Sequence, residues 1–330
     1  MALLEELGEG TGSYDIAIAA ATISILVGGI LFGIGMGFGF RRMRLLGAEE
    51  VGQGIVSAAM VGGLLAFTLL INSTVPSLVP QAVSVSCESV ASPTGSPYAY
   101  YMCNLEAMQN SYRALSNSLS RAAQITGFAS SLQVDIGVVA AQPFFALQSA
   151  SKELHNASQQ AGWQSALAFS EFELADAVRA SALSIFLPVG LVLRTFFATR
   201  KLGAAAMALA IAAYIIYPLL FLHTFTVSKS LATAEVAQKD IDSFNAEFAS
   251  IPLLDLDSTA AVRNKINEMS HGDFSSKVQP LFSASFSAIS LANSDLLLYP
   301  IIALLMSAIC AYELYRLLSA QIFLPYFESV

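Results

Sequence analysis

Residues 16–40 form an uncharged run of 25, and it ends in Arg41, Arg42 and Arg44. This run constrains the fold more than any other feature. About 20 apolar residues in a helix cross the ~30 Å hydrocarbon core of a bilayer, whereas a helix on the surface of a soluble domain keeps a polar face. Six glycines stand in positions 25–40, although glycine costs about 1 kcal/mol against alanine in a helix exposed to water. A dinucleotide-binding reading would need a strand before the glycines and a polar βαβ setting after them. Here the uncharged run surrounds them. A cleaved signal would need a basic start and a shorter apolar core.

Composition supports a chain dissolved largely in lipid. Charged residues make up 12% and apolar residues 55%, where a soluble domain carries about 25% charged residues. The formal net charge is −8 with no long basic tract, so nothing points to nucleic acid held on an open basic surface.

Four further windows satisfy the span test. Residues 55–71 are apolar at the short limit. Residues 202–225 are apolar apart from His223. Residues 180–197 carry Arg194 near one end, and residues 296–318 carry Glu313 and Arg316 near theirs. The expected fold is therefore all-α, a polytopic helical membrane protein with about five transmembrane helices and a long exterior helical hairpin. A sixth window, 128–147, contains Gln133, Asp135 and Gln142 and stays outside the count. The organisation expected is an acidic N-terminal segment with two spans (1–71), an exterior region (72–179), two spans (180–225), a second exterior region (226–295), and a last span with its tail (296–330).

Short loops rich in Lys and Arg stay cytoplasmic. Arg41, Arg42 and Arg44 follow the first span, and Arg194, Arg200 and Lys201 surround the tight turn before residue 202. Five spans put both loops on the cytoplasmic side and the N-terminus outside. Cys87 and Cys103 then lie in an exterior, oxidising space, where they form either a disulfide or two separate thiols. Cys310 lies within a span as a small apolar filler. Asn72 and Asn156 each open a glycosylation sequon on the exterior side.

Gly29, Gly33 and Gly37 recur every four residues, and Gly35 and Gly39 repeat that spacing one strip over. On a helix this makes a groove without side chains, and in lipid such grooves admit another backbone. The expected role of these five glycines is helix packing. The second and fourth spans also have small faces, which favours a compact bundle or an oligomer.

From residue 104 the pattern turns helical. Leu105, Met108, Tyr112, Leu115, Leu119, Ala122, Ile125, Phe128 and Leu132 recur at three- and four-residue steps. Leu154, Ala157, Ala161, Ala168, Phe169 and Phe172 make a second, weaker stripe interrupted by Ser165. The two read either as a projecting hairpin turning near Gln142–Pro143 or as amphipathic helices lying on the membrane surface. Asp240, Asp242, Asp255 and Asp257 lack the turn glycine and terminal glutamate of a calcium loop and read as solvated caps.

No H-E-x-x-H, C-x-x-C, G-x-S-x-G or Walker lysine occurs, and His155, His223 and His271 are scattered. Neither a catalytic set, nor a metal, nor a cofactor is expected. Arg194 reads as a snorkelling anchor or as the partner of an acid within the membrane. Glu313 and Arg316 can pair on one helix face. Pro188, Pro218 and Pro300 are candidate kinks.

The stretch "FLPVGLVLRTFFATRKLGAAAMALAIAAYIIYPLLF", residues 186–221, carries the best local signature: Pro188, Gly190, Arg194, Arg200, Gly203 and Pro218. It resembles a hairpin of polytopic archaeal membrane proteins and is similar to the polytopic channel component of type IV secretion systems and Ced-type DNA-import machinery. The resemblance implies a non-enzymatic subunit in an archaeal cell membrane, working with a separate ATPase and partner membrane proteins. A stand-alone solute or ion transporter and an exterior ligand-binding or adhesion protein are the alternatives.

Overall fold

The computed structural model of the chain describes residues 2–78, 97–135, 140–142, 144–195, 199–227, 229–251, 258–271 and 274–319. These residues are helical almost throughout. The exception is a two-residue antiparallel ladder in which β1 (Val134–Asp135) pairs with β2 (Ala140–Ala141). Residues 128–147 are therefore not one continuous helix. The polar residues Gln133, Asp135 and Gln142 lie in or beside the connection between α3 (Pro97–Ser131) and α4 (Leu147–Ser181).

Two helical stretches among the described residues are long and apolar enough to cross a membrane, Arg200–His223 and Ser276–Ser319, and Thr22–Gly37 is a shorter apolar helix. The second stretch is 44 residues long. At 1.5 Å per residue it exceeds a bilayer core about twofold.

Contacts divide the chain into two units. One takes residues 1–103, 173–223 and 301–330, and the other takes 104–172 and 224–300. In the first unit, α1 (Ala2–Gly37) and α2 (Arg41–Leu78) form a hairpin. Gly39 closes its turn with φ +70°, a backbone conformation in which other residues are strained. Gly39 thus lies in the turn and not on a helix-packing face, which corrects its expected role. A second hairpin joins α5 (Leu187–Thr195) to α6 (Arg200–Ile211), which leads on to α7 (Tyr217–Val227). Aromatic rings hold α3 to this assembly. Tyr98 stacks on Tyr214 with centroids 5.1 Å apart, and Tyr101 meets Phe221 edge to face at 4.8 Å. The Tyr98 hydroxyl donates to the Ala175 carbonyl.

In the second unit the first expected stripe becomes the core. Leu105, Met108, Tyr112, Leu115, Leu119 and Ala122 on α3 are all 0% exposed. They are joined in that core by Leu154, Ala161 and Ala168 of α4, Ile241 of α8 (Ser230–Glu247) and Ala288 of α10 (Phe274–Asn293). The short helix α9 (Thr259–His271) precedes α10. The small α4 stripe lets hydroxyls bridge the helices. Ser165 donates to the Gln109 carbonyl at 3.0 Å, Ser151 to that of Ala123 at 2.8 Å, and Ser116 to that of Ser158 at 2.8 Å. Ser165 is thus a bridge and not a gap in the stripe, whereas Phe169 turns outward and is 47% exposed. Asp242 is exposed, and it also accepts from Ser118 at 2.6 Å, which ties α8 to α3.

The three kink prolines share one device. Five-residue π-helical turns, π1 (Ala182–Phe186), π2 (Ala212–Ile216) and π3 (Ser294–Leu298), each end two residues before a proline: Pro188, Pro218 and Pro300. Proline lacks an N–H, and its ring crowds the carbonyl four residues back. The residue before each proline instead donates five residues back, Leu187 to Ala182, Tyr217 to Ala212 and Tyr299 to Ser294. The wide turn makes room for the ring. Pro280 lies inside α10 without a π turn, so proline alone does not produce the device. The helix α11 (Tyr299–Ser319) follows π3 and carries the expected Arg316–Glu313 pair at 3.4 Å.

Candidate functional site: the hairpin of α5 and α6

The six signature residues of 186–221 meet in one place only in part. Pro188 and Pro218 follow π1 and π2 and are buried. Gly190 and Gly203 bring α5 and α6 together backbone to backbone. A Cβ on Gly203 would stand 2.4 Å from the Gly190 oxygen and 2.5 Å from the Arg194 nitrogen. One on Gly190 would stand 2.8 Å from a Met207 side-chain carbon. Any side chain at these two positions would force the helices apart, which accounts for both glycines.

This closeness places the two arginines. Arg200 opens α6 with a side chain 7% exposed, and its two terminal nitrogens reach Glu49 Oε1 and Glu50 Oε2 of α2, each at 3.1 Å. Burial raises the Glu50 carboxyl above the usual carboxylate range, Arg200 opposes that rise, and Glu49 adds to it. Sequence reasoning did not single out Glu49 and Glu50. The available signal was an adjacent acidic pair just inside a helix that starts with three arginines.

Arg194 does not snorkel. It is 3% exposed, and its Nε and Nη1 are buried without a hydrogen-bond partner. Among the described residues no acid pairs with it either. The snorkelling role is corrected, because the last turn of α5 is enclosed within protein.

The glycine strips of α1 also separate. Gly28 and Gly35 are filled by α2, with added Cβ atoms falling 2.8 Å from the Val51 nitrogen and 2.5 Å from the Arg44 nitrogen. Gly47 of α2 answers them, lying against the Phe32 backbone at 2.4 Å by the same measure. A Cβ added at Gly29, Gly33 or Gly37 would meet nothing within 4 Å outside its own stretch of helix. Gly35 is therefore the expected packing residue that packs within the chain.

Elsewhere, Cys103 is buried in α3, Cys310 carries a free thiol, and Cys87 lies outside the described residues, as do Asp255 and Asp257. Asn156 is exposed on α4, and Asn72 falls within α2. Glu171 of α4 has a buried Oε2 without a partner, and burial pushes its carboxyl up to about 8. A cleft of ≈440 Å³ lies where α3 gives way to α4, lined by Ser130, Gln133, Gln142, Ser151 and Lys152 among others. Among the described residues no group of three His, Cys, Asp or Glu could hold a metal ion.

No protein-family model, curated protein or solved structure matches this chain.

Proposed function

We propose that the chain is a non-enzymatic integral membrane subunit of a multiprotein translocation or surface-structure machine, of the secretion or DNA-transfer type, which scaffolds or lines a membrane passage. In this reading five helices cross the bilayer, at 16–40, 55–71, 180–197, 202–225 and 296–318. The arginine-rich turns face the cytoplasm, and the N-terminus and regions 72–179 and 226–295 lie outside. Other membrane subunits and a separate ATPase complete the machine.

One observation carries this reading. The glycine strip of α1 made by Gly28 and Gly35 is filled by the chain's own α2, while Gly29, Gly33 and Gly37 are open, beside Leu26 at 64% and Ile30 at 62% exposure. In lipid a strip of this kind admits a foreign helix at close range. Gentle solubilisation and identification of co-purifying proteins tests it. A second membrane protein and a secretion-type ATPase are expected with the wild type and are lost with Gly33→Leu.

A second reading, a stand-alone solute or ion transporter, has one observation in its favour. Asp295 is 1% exposed and lies in π3, within an apolar helical stretch. Buried acids at interrupted helices are the sites used by ion-coupled transporters. Purification as a homogeneous oligomer that conducts ions without partners would favour this reading.

A further inference from the structure

Arg194, in the last turn of α5, has no ion-pair partner among the described residues. Arg194 is 3% exposed, and its Nε and Nη1 donors are buried and unpartnered. The charge beside it is another cation, Arg200. The two nearby carboxylates, Glu49 and Glu50, are already engaged by Arg200 at 3.1 Å each. Lys201 follows Arg200 and is exposed. Among the described residues these two carboxylates pair with Arg200, and no carboxylate pairs with Arg194. A buried guanidinium in that condition is costly unless something anionic completes it.

The backbone makes the same demand. The 12-residue helix α6 begins here, and its N-cap Thr199 makes no side-chain cap. Its hydroxyl donates instead to the Leu193 carbonyl at 2.7 Å. The first amides of α6 are thus left uncapped by Thr199 at the positive end of the helix dipole, which is the usual setting for a bound phosphate. A planar guanidinium matches phosphate oxygens two at a time. The location decides the source of the phosphate. Arg200 is the first residue of the membrane-length helix Arg200–His223, so the corner sits at headgroup depth whenever that helix spans a bilayer.

We propose that Arg194 and the amino end of α6 form a seat for the phosphate of an anionic lipid headgroup. This rests on the membrane reading of Arg200–His223 and not on the identity of any partner subunit.

Native mass spectrometry of the full chain from detergent, titrated with phosphatidylglycerol, phosphatidylcholine or inorganic phosphate, tests it. The wild type is expected to retain one phosphatidylglycerol at least tenfold more tightly than phosphatidylcholine. Arg194→Gln should lose that preference. Arg194→Lys keeps the charge without the planar fork and should retain a reduced preference, which tests the seat independently of whether the glutamine variant folds. Exposed Arg42→Gln should leave the preference unchanged. Equal retention of the two lipids, or a glutamine variant that binds as the wild type does, would overturn the proposal. Inorganic phosphate competing as strongly as the lipid would reassign the seat to a free anion. A chain that stays dispersed without detergent would defeat the membrane reading itself, whereas loss of partner subunits would leave this result untouched.

Discussion

Gly190 and Gly203 meet so closely that a methyl group on Gly203 would stand 2.4 Å from the Gly190 oxygen. The obstructing atoms are backbone, which cannot swing aside. Gly203→Ala should therefore destabilise the chain by about 1–3 kcal/mol, the range for overpacking. Gly29→Ala, with nothing outside its own stretch of helix within 4 Å of its new methyl, should be neutral or stabilising, since alanine is the better helix former by about 1 kcal/mol. Thermal unfolding of both variants in the same detergent checks the contrast. Equal melting points would show that the α5–α6 contact is looser than described.

Arg200 holds two carboxylates, so its removal strands both. Arg200→Leu should cost about 1–3 kcal/mol, below the range for a fully buried pair because the Glu49 side chain is 40% exposed. Adding Glu49→Gln and Glu50→Gln to that variant should recover most of the loss, because the stranded charges are then gone. A triple variant no more stable than Arg200→Leu would place the effect in packing instead of charge.

Glu171 supplies a pH dependence with a definite sign. Its folded carboxyl titrates at about 8, whereas an exposed glutamate titrates at about 4.3. Between those values the folded chain keeps a proton that the unfolded chain has released. Stability from this group is thus fully present below the unfolded value and is lost as pH rises through about 8. Glu171→Gln should match the wild type near pH 4 and melt at a higher temperature near pH 9. Parallel pH profiles for the two proteins would refute the burial of this carboxyl.

For the cysteines we expect a Cys87–Cys103 disulfide. It would close a loop of about 15 residues and contribute about 3 kcal/mol through the unfolded chain. Peptide mapping without reductant should find the two peptides joined and Cys310 alkylated, consistent with its free thiol. Recovery of three alkylated cysteines would remove the bridge and weaken the exterior placement of that region.

Local pattern determined much of this protein. The 3.6-residue period placed Leu105, Met108, Tyr112, Leu115 and Leu119 on one face, and that face is the core of the second unit. The uncharged runs marked apolar helices, and Pro188, Pro218 and Pro300 marked every π turn found among the described residues. These features depend on neighbours a few residues away. Tertiary structure alone decided which glycine strip of α1 is filled, because Gly28 and Gly29 are about 100° apart on a helix and only the crossing with α2 chooses between them. It also decided which arginine is paired. Arg194 and Arg200 stand six residues apart on either side of one turn, but the carboxylates that could answer them lie about 150 residues away in sequence. Periodicity carries no information over that distance. The approach of α2 delivered both carboxylates to Arg200 and left Arg194 enclosed.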